Sequence, residues 1–338
     1  MASPEQLPAP ALSPAQLEAY LTHIGLPAST EDPKKAAATS RKPNLPFLTQ
    51  LLEHHICAVP YENLGMHYSR DKTISLDIQA LYAKCMSNGR GGYCLENTLL
   101  FNHVLRGLGF HAWIVGARAR PRVEGVPTGD YTGWLHTVNI VKFTDGSKYM
   151  VDVAFGGDLA TRPLLLSPGQ ITHNGLGTQQ VRLERGTIPG SLSGDKVWIY
   201  QYRNNSNLTT GTSATEGGWN ACFSFTETEF LPQDLEVMNL YTSRDPRCFL
   251  ASSVLVVRFL RKEGEDDDKG QGAGGIYGKR MLVNHEVKEN LGGKTTVIRT
   301  CTSEAERVAA LRELLGIELT DEEVQGIKGS KVEIAGGA

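Results

Sequence analysis

"GRGGYCLENTLLF", residues 89–101, decides how this chain is read, because it places a cysteine between a glycine-rich turn and the start of an apolar helical pattern. The pattern continues through "NHVLRGLG" to Gly107 and Gly109 and is apolar around most of its circumference, which predicts a buried helix beginning at Cys94. Unpaired backbone N–H groups gather at such a helix N-terminus and carry partial positive charge. A thiol placed there has its thiolate favoured, and the same amides can receive an oxyanion. The glycines at 89, 91 and 92 let the backbone turn sharply and leave room for a substrate beside the sulfur. A cysteine in this position also has a plain structural reading, since cysteine is among the residues most often buried in cores.

A nucleophilic cysteine needs a base, and the base needs an orienting partner. Of the nine histidines, His54 and His55 fall on a helical run, His103 on the buried helix, His111 at a strand start and His173 in a polar loop. His136 differs, because it opens the apolar strand "HTVNIVKF" directly after the turn-rich "TGDYTGW". Asp152 interrupts the apolar run "YMVDVAFG", and a buried carboxylate there calls for a partner such as an imidazole on the neighbouring strand. The intervening Asp145-Gly146 predicts a hairpin. A strict two-residue turn would set position 136 against 155 and point side chains 136 and 152 to opposite faces. A three-residue loop within 144–147, with Gly146 left-handed, restores a common face but leaves the two residues offset along the strands.

The 338 residues are too many for one compact core and suit two or three domains. Charged residues make up 21% and the apolar set 40%, with a formal net charge of -3, so neither nucleic acid nor an anionic membrane is expected as the main partner. The opening "MASPEQLPAPALSP" lacks the build of a signal peptide and no run approaches membrane-spanning length, which predicts a soluble, cytoplasmic protein. Six cysteines (Cys57, Cys85, Cys94, Cys222, Cys248 and Cys301) are thinly spread without the short spacing of a zinc site, so reduced thiols and no metal are expected.

Along the chain, Ser13, Pro14 and Gln16 mark a first helix, "FLTQLLEHHICAV" a second and 78–84 a short third. Past Gly109 the pattern becomes strand-like, in "HAWIVGARARPRV", "HTVNIVKF", "KYMVDVAF", "QQVRLERG" and "KVWIYQYR". From about Cys222 strands mix with helix, ending on "SEAERVAALRELLG", which is capped by Ser303 and closed by Gly316. The acidic, glycine-rich "KEGEDDDKGQGAGG" (262–275) reads as a surface loop rather than a nucleotide-binding one.

Taken in order, "PYENL" (60–64), "RGGYCLEN" (90–97), "GFHAWIVGARA" (109–119), "HTVNIV" (136–141) and "YMVDVAFG" (149–156) resemble segments of the arylamine N-acetyltransferases, nearest to fungal members. The resemblance implies an α+β fold with a helical N-terminal domain (1–108), a central antiparallel β-barrel (109–221) and a C-terminal α/β lid (222–338). It implies a triad of the papain and transglutaminase kind, with Cys94 as acyl-accepting nucleophile, His136 as base and Asp152 orienting the imidazole. A thiolate–imidazolium pair would supply the reactivity. It further implies acyl-coenzyme A as co-substrate, contacts to it from Thr132 and Gly133, substrate contacts from Phe155 and Tyr93, and Arg90 and Glu96 holding the loop and helix around the cysteine. The activity implied is ping-pong transfer of an acyl group to the nitrogen of small arylamines, arylhydrazines or arylhydroxylamines, as in xenobiotic metabolism. The donor is left open among acetyl-, propionyl- and malonyl-coenzyme A, and a cysteine amidase or other hydrolase using the same triad is the alternative. Gly129 stands where some vertebrate members carry a lysine, so coenzyme A contacts are expected to differ from theirs.

Overall fold

The computed structural model describes residues 11–26, 41–123, 125–204, 218–262 and 275–335. The Pro-rich stretch before residue 11, most of the loop expected at 27–43 and nearly all of the acidic loop at 262–275 lie outside these residues.

Helices lead. In α1 (Pro14–His23) the Ser13 hydroxyl accepts the Gln16 N–H, and the Gln16 side chain accepts the Ser13 N–H in return. Then come α2 (Leu45–Ala58), a two-residue strand β1 (Tyr61–Glu62), α3 (Gly65–Tyr68), α4 (Ile78–Cys85) and α5 (Cys94–Gly107). Phe47, Leu48, Leu51, Leu52 and Ile56 bury one face of α2 in the core it shares with α5. Each such side chain contributes on the order of 1.5–3 kcal/mol when removed from water.

Ten strands follow: β2 (His111–Ala119), β3 (Arg122–Val123), β4 (Val126–Pro127), β5 (His136–Lys142), β6 (Lys148–Val151), β7 (Leu164–Leu165), β8 (Thr172–His173), β9 (Gln179–Gly186), β10 (Val197–Asn204) and β11 (Asn220–Glu229). Eight of them form one antiparallel sheet in the order β7-β6-β5-β2-β11-β10-β9-β8. The sheet curls until β7 meets β9, giving a nearly closed barrel filled by Val115, Val138, Ile140, Tyr200, Phe223 and Phe225. Strand β5 is buried on both faces, by the barrel interior on one side and α5 on the other, which is why its sequence reads as an apolar run without alternation.

The chain then forms α6 (Pro232–Arg244), a 3-10 turn (Phe249–Ala251), β12 (Leu255–Arg261), β13 (Ile276–Val283), β14 (Glu286–Asn290), β15 (Thr296–Thr300), α7 (Glu304–Leu315) and α8 (Asp321–Gly326). A second antiparallel sheet has the order β1-β12-β13-β14-β15, with Ala310, Leu311 and Leu315 of α7 packed on one face. Strand β1 is its edge, so the helical first third of the chain supplies a strand to the last third. Together these layers make the α+β fold, helices around a barrel with an α/β unit at the end. The boundary expected at 221/222 falls inside β11, because the barrel needs that strand through Glu229.

Candidate active site

Cys94 is the first residue of α5, at 4% exposure, and Tyr93 caps the helix in extended conformation. The Glu96 carboxylate accepts the Tyr93 N–H at 3.0 Å, so the first turn is closed from within. A ladder then ties this helix to β5. The Cys94 thiol donates to the Leu135 carbonyl at 3.5 Å, and the Thr98 hydroxyl donates to the Thr137 carbonyl at 3.1 Å. Asn102 Nδ2 donates to Asn139 Oδ1 at 2.8 Å, and Asn139 Nδ2 donates to the Thr98 carbonyl at 3.2 Å. The rungs match because four helical residues rise about 6 Å and two strand residues about 6.6 Å. The ladder sets the thiol beside the backbone of the residue preceding His136. Thr98, Asn102 and Asn139 escape a reading of the sequence for catalytic groups, although each is a polar residue inside an otherwise apolar pattern.

The hairpin between β5 and β6 takes the three-residue form. Phe143 N–H donates to the Ser147 carbonyl at 2.9 Å, Gly146 N–H donates to the Phe143 carbonyl at 3.0 Å, and Gly146 has φ +87°. Lys142 therefore lies opposite Lys148 and Asn139 opposite Val151, and continuing that register places residues 136 and 152 on the same face. Strand β6 ends at Val151, so Asp152 stands just past the strand and not within it. Its Oδ1 accepts the Ala154 N–H at 2.8 Å, and its Oδ2 lies 2.8 Å from His136 Nε2. The offset is bridged diagonally, with no bulge in the pairing of β5 and β6. Nε2 is the His136 ring nitrogen that Asp152 engages.

Burial pushes the Cys94 thiol well above its ordinary range, the Asp152 charge adds to this, and the amides of Leu95 and Cys94 oppose it. Desolvation outweighs the helix N-terminus here, contrary to the lowered thiol value expected from the sequence.

The glycines before Cys94 serve the protein's own packing. A Cβ on Gly91 would stand 1.9 Å from the Pro60 carbonyl oxygen, and one on Gly92 would stand 2.5 Å from Glu96 Cβ. The space expected beside the sulfur is thus filled at these two positions by the strand-side loop and the helix. Arg90 donates through Nε to Glu62 Oε1 at 3.0 Å and through Nη1 to Glu323. Lys84 lies between Glu62 and Glu96, at 3.4 and 2.9 Å. Burial alone would raise Glu62, but Arg90 and then Lys84 reverse that and hold its carboxyl at about 2.

The remaining expected contacts divide. Phe155 is half-buried, with its ring 5.1 Å from that of His136 and 4.7 Å from that of Phe223, so it walls the site. Gly133 faces open space, and the Thr132 hydroxyl donates to the Ala119 carbonyl at 2.9 Å. Tyr93 is fully buried. Its hydroxyl donates to Asn239 Oδ1 at 2.6 Å and meets Thr242 Oγ1 at 3.0 Å, both on α6. That hydroxyl is bonded to the protein's own side chains, whereas a substrate contact was expected of Tyr93. Among the described residues, no group of three or more His, Cys, Asp or Glu side chains is placed to hold a metal ion, and no helix is long and apolar enough to cross a membrane.

A family model described as N-acetyltransferase matches residues 44–324. An N-malonyltransferase of Fusarium pseudograminearum is 34% identical over 333 residues, covering 94% of this chain and 93% of its own length. Arylamine N-acetyltransferase 2 of Mus musculus is 27% identical over 238 residues, 70% of this chain and 75% of that protein. Among solved structures, the arylamine N-acetyltransferase of Nocardia farcinica aligns with a TM-score of 0.72 at 26% identity, covering 97% of this chain and 99% of that one. The Mycobacterium marinum arylamine N-acetyltransferase in complex with CoA shares the fold, with a TM-score of 0.70 at 23% identity over 94% and 98% of the two chains. The barrel strands, Cys94, His136 and Asp152 all lie within residues 44–324, and the chain belongs to the arylamine N-acetyltransferase family of acyltransferases.

Proposed function

We propose that this protein moves an acyl group from an acyl-coenzyme A to the nitrogen of a small aromatic amine, hydrazine or hydroxylamine through a thioester on Cys94. The observation that carries this reading is the Cys94 thiol, at a helix N-terminus and bonded to the carbonyl of Leu135, the residue next to His136, whose imidazole lies 2.8 Å from Asp152.

His136 takes the thiol proton as the sulfur adds to the donor's thioester carbonyl, and Asp152 stabilises the imidazolium. The carbon–sulfur bond to coenzyme A breaks, the imidazolium returns its proton to the departing thiolate, and free coenzyme A leaves. The amine then adds to the Cys94 thioester, loses a proton to His136 and releases the thiol, giving an amide. Amides of Leu95 and Cys94 stand at the helix N-terminus where an oxyanion develops. In this reading Phe155 lines the acceptor pocket, Thr132 and Gly133 border the coenzyme A path, and Arg90 and Glu96 keep the cysteine's loop and helix in place.

Similarity to an N-malonyltransferase over nearly the full length favours a second reading, in which malonyl-coenzyme A is the preferred donor. One experiment tests the transferase. Intact-protein mass spectrometry follows brief mixing with acetyl-, propionyl- or malonyl-coenzyme A without amine, on wild type and Cys94→Ala. One acyl mass added, absent in the variant and discharged by an arylamine, is the expected outcome. Discharge by water as fast as by amine would make the protein a hydrolase, and no labelling by any donor would end the acyltransferase reading.

A further inference from the structure

Three residues far apart in the chain meet beside the candidate site: Arg122 of β3, Asp158 of the turn after β6, and Lys279 of β13. Arg122 Nη1 donates to Asp158 Oδ2 at 2.7 Å and to the Gly125 carbonyl at 2.8 Å. Lys279 Nζ donates to the Gly157 carbonyl and lies 3.4 Å from Asp158 Oδ1. The Tyr200 hydroxyl donates to the Asp158 carbonyl at 2.8 Å and fixes the turn. Two cations thus share one carboxylate, leaving an excess positive charge. Lys279 is buried at 5% exposure, whereas the Arg122 side chain keeps 31% exposure and remains reachable.

The cluster is joined to the chemistry through one ring. The Arg122 guanidinium carbon sits 5.7 Å from the Phe155 ring centroid, and Phe155 packs against His136. Asp152, the carboxylate beside His136, is already bonded to the imidazole and to the Ala154 amide. An acetyl group needs no counter-charge among these aromatic walls. A dicarboxylic acyl group brings a second carboxylate, and burying that group without a cation is strongly unfavourable. A guanidinium matches a carboxylate in shape as well as in charge.

We propose that Arg122, held by Asp158 and backed by Lys279, receives the free carboxylate of a malonyl-type acyl-coenzyme A and so selects the donor. The proposal rests on the transferase reading above and adds the residue that reads the acyl group. The same cations could instead meet a carboxylate on the acceptor amine, and the two half-reactions separate these sources.

The test measures initial rates of Cys94 acylation by malonyl- and acetyl-coenzyme A, without amine, in wild type, Arg122→Gln and Arg122→Lys. Wild type favours malonyl, Arg122→Gln lowers the malonyl-to-acetyl ratio by about tenfold or more, and Arg122→Lys retains part of the preference. Lys279→Gln, read on the same ratio, serves if Arg122→Gln does not fold. An unchanged ratio in a folded variant whose Cys94 still accepts acetyl groups overturns this proposal and leaves the transferase standing. The proposal is likewise overturned if Arg122→Gln alters only discharge of the acetyl-enzyme to 4-aminobenzoate relative to aniline, because the cluster then reads the acceptor. If neither donor acylates the wild-type protein, the transferase reading fails and this one fails with it.

Discussion

Asn102 donates from Nδ2 to Asn139 Oδ1 at 2.8 Å, eight residues beyond the cysteine on its helix and three beyond the histidine on its strand. The pair is the far rung of the ladder that sets α5 against β5. Asn139→Leu would remove the acceptor for Asn102 and the second donor to the Thr98 carbonyl, leaving the Asn102 side-chain amide buried and without its partner. We expect a loss of about 1–3 kcal/mol in stability and slower Cys94 acylation. Urea unfolding and acyl-enzyme mass spectrometry on the same preparation measure both, and an unaltered acylation rate would show that the ladder does not position the thiol.

Asp152→Asn keeps an oxygen for the Ala154 amide but removes the charge that faces the imidazolium. Acylation should slow by roughly 10²–10⁴ with the fold retained, as expected when the orienting acid of a triad is neutralised. Quenched-flow labelling of Cys94 gives the rate, and a loss below threefold would remove Asp152 from the chemistry.

Two glycines should respond oppositely to the same substitution. Gly91→Ala drives a methyl group to 1.9 Å from the Pro60 carbonyl oxygen, a backbone atom that cannot rotate away. We expect a loss of several kcal/mol or failure to fold. Gly133→Ala meets no atom within 4 Å, so the melting temperature should hold while the KM for acyl-coenzyme A rises. Equal melting temperatures for the two variants would refute the packing argument.

Tyr93→Phe separates a structural hydroxyl from a substrate contact. It removes the bonds to Asn239 and Thr242 that fasten α6 over the nucleophile's helix. Stability should fall by about 1–3 kcal/mol, with the relative rates for different arylamines unchanged. A shift in amine preference without a stability loss would assign Tyr93 the substrate contact instead.

Acid should destabilise the helical core through a buried imidazole. Burial, followed by the nearby His23 charge, lowers His55 from 6.5 to about 3, and the Tyr20 hydroxyl meets its Nδ1 at 2.5 Å. Between these pH values the unfolded chain binds a proton that the native imidazole refuses. Stability is therefore full above about pH 6.5 and declines toward pH 3, at up to roughly 1.4 kcal/mol per pH unit for this one group. His55→Gln should flatten the dependence of urea stability on pH between 6.5 and 4, and an identical slope would exclude His55 as its source.

Several features of the molecule are legible because they are local. Ser13 and Gln16 cap α1, and the run from Cys94 forms one buried helix, since capping and periodicity are properties of a few adjacent residues. Gly146 allows a three-residue loop but does not require it. The choice between that loop and a two-residue turn rests on how β6 packs between β5 and β7. The glycines at 91 and 92 suggest room for a substrate when only the sequence is considered, and the neighbours that fill that room, Pro60 and Glu96, become visible only when the loop closes on the helix.

By itself, the sequence determined the order of helices, barrel strands and α/β end, the family, and three residues worth following, Cys94, His136 and Asp152. Tertiary structure alone decided how the helix that begins at Cys94 lies against the strand that begins at His136, through a ladder whose partners lie 37 to 41 residues apart. It also decided that burial pushes the Cys94 thiol upward against the pull of the helix N-terminus, because desolvation depends on everything packed around the sulfur. The cluster of Arg122, Asp158 and Lys279 has the same origin, since Asp158 and Lys279 are 121 positions apart and only the docking of β13 against the barrel's turn makes them neighbours.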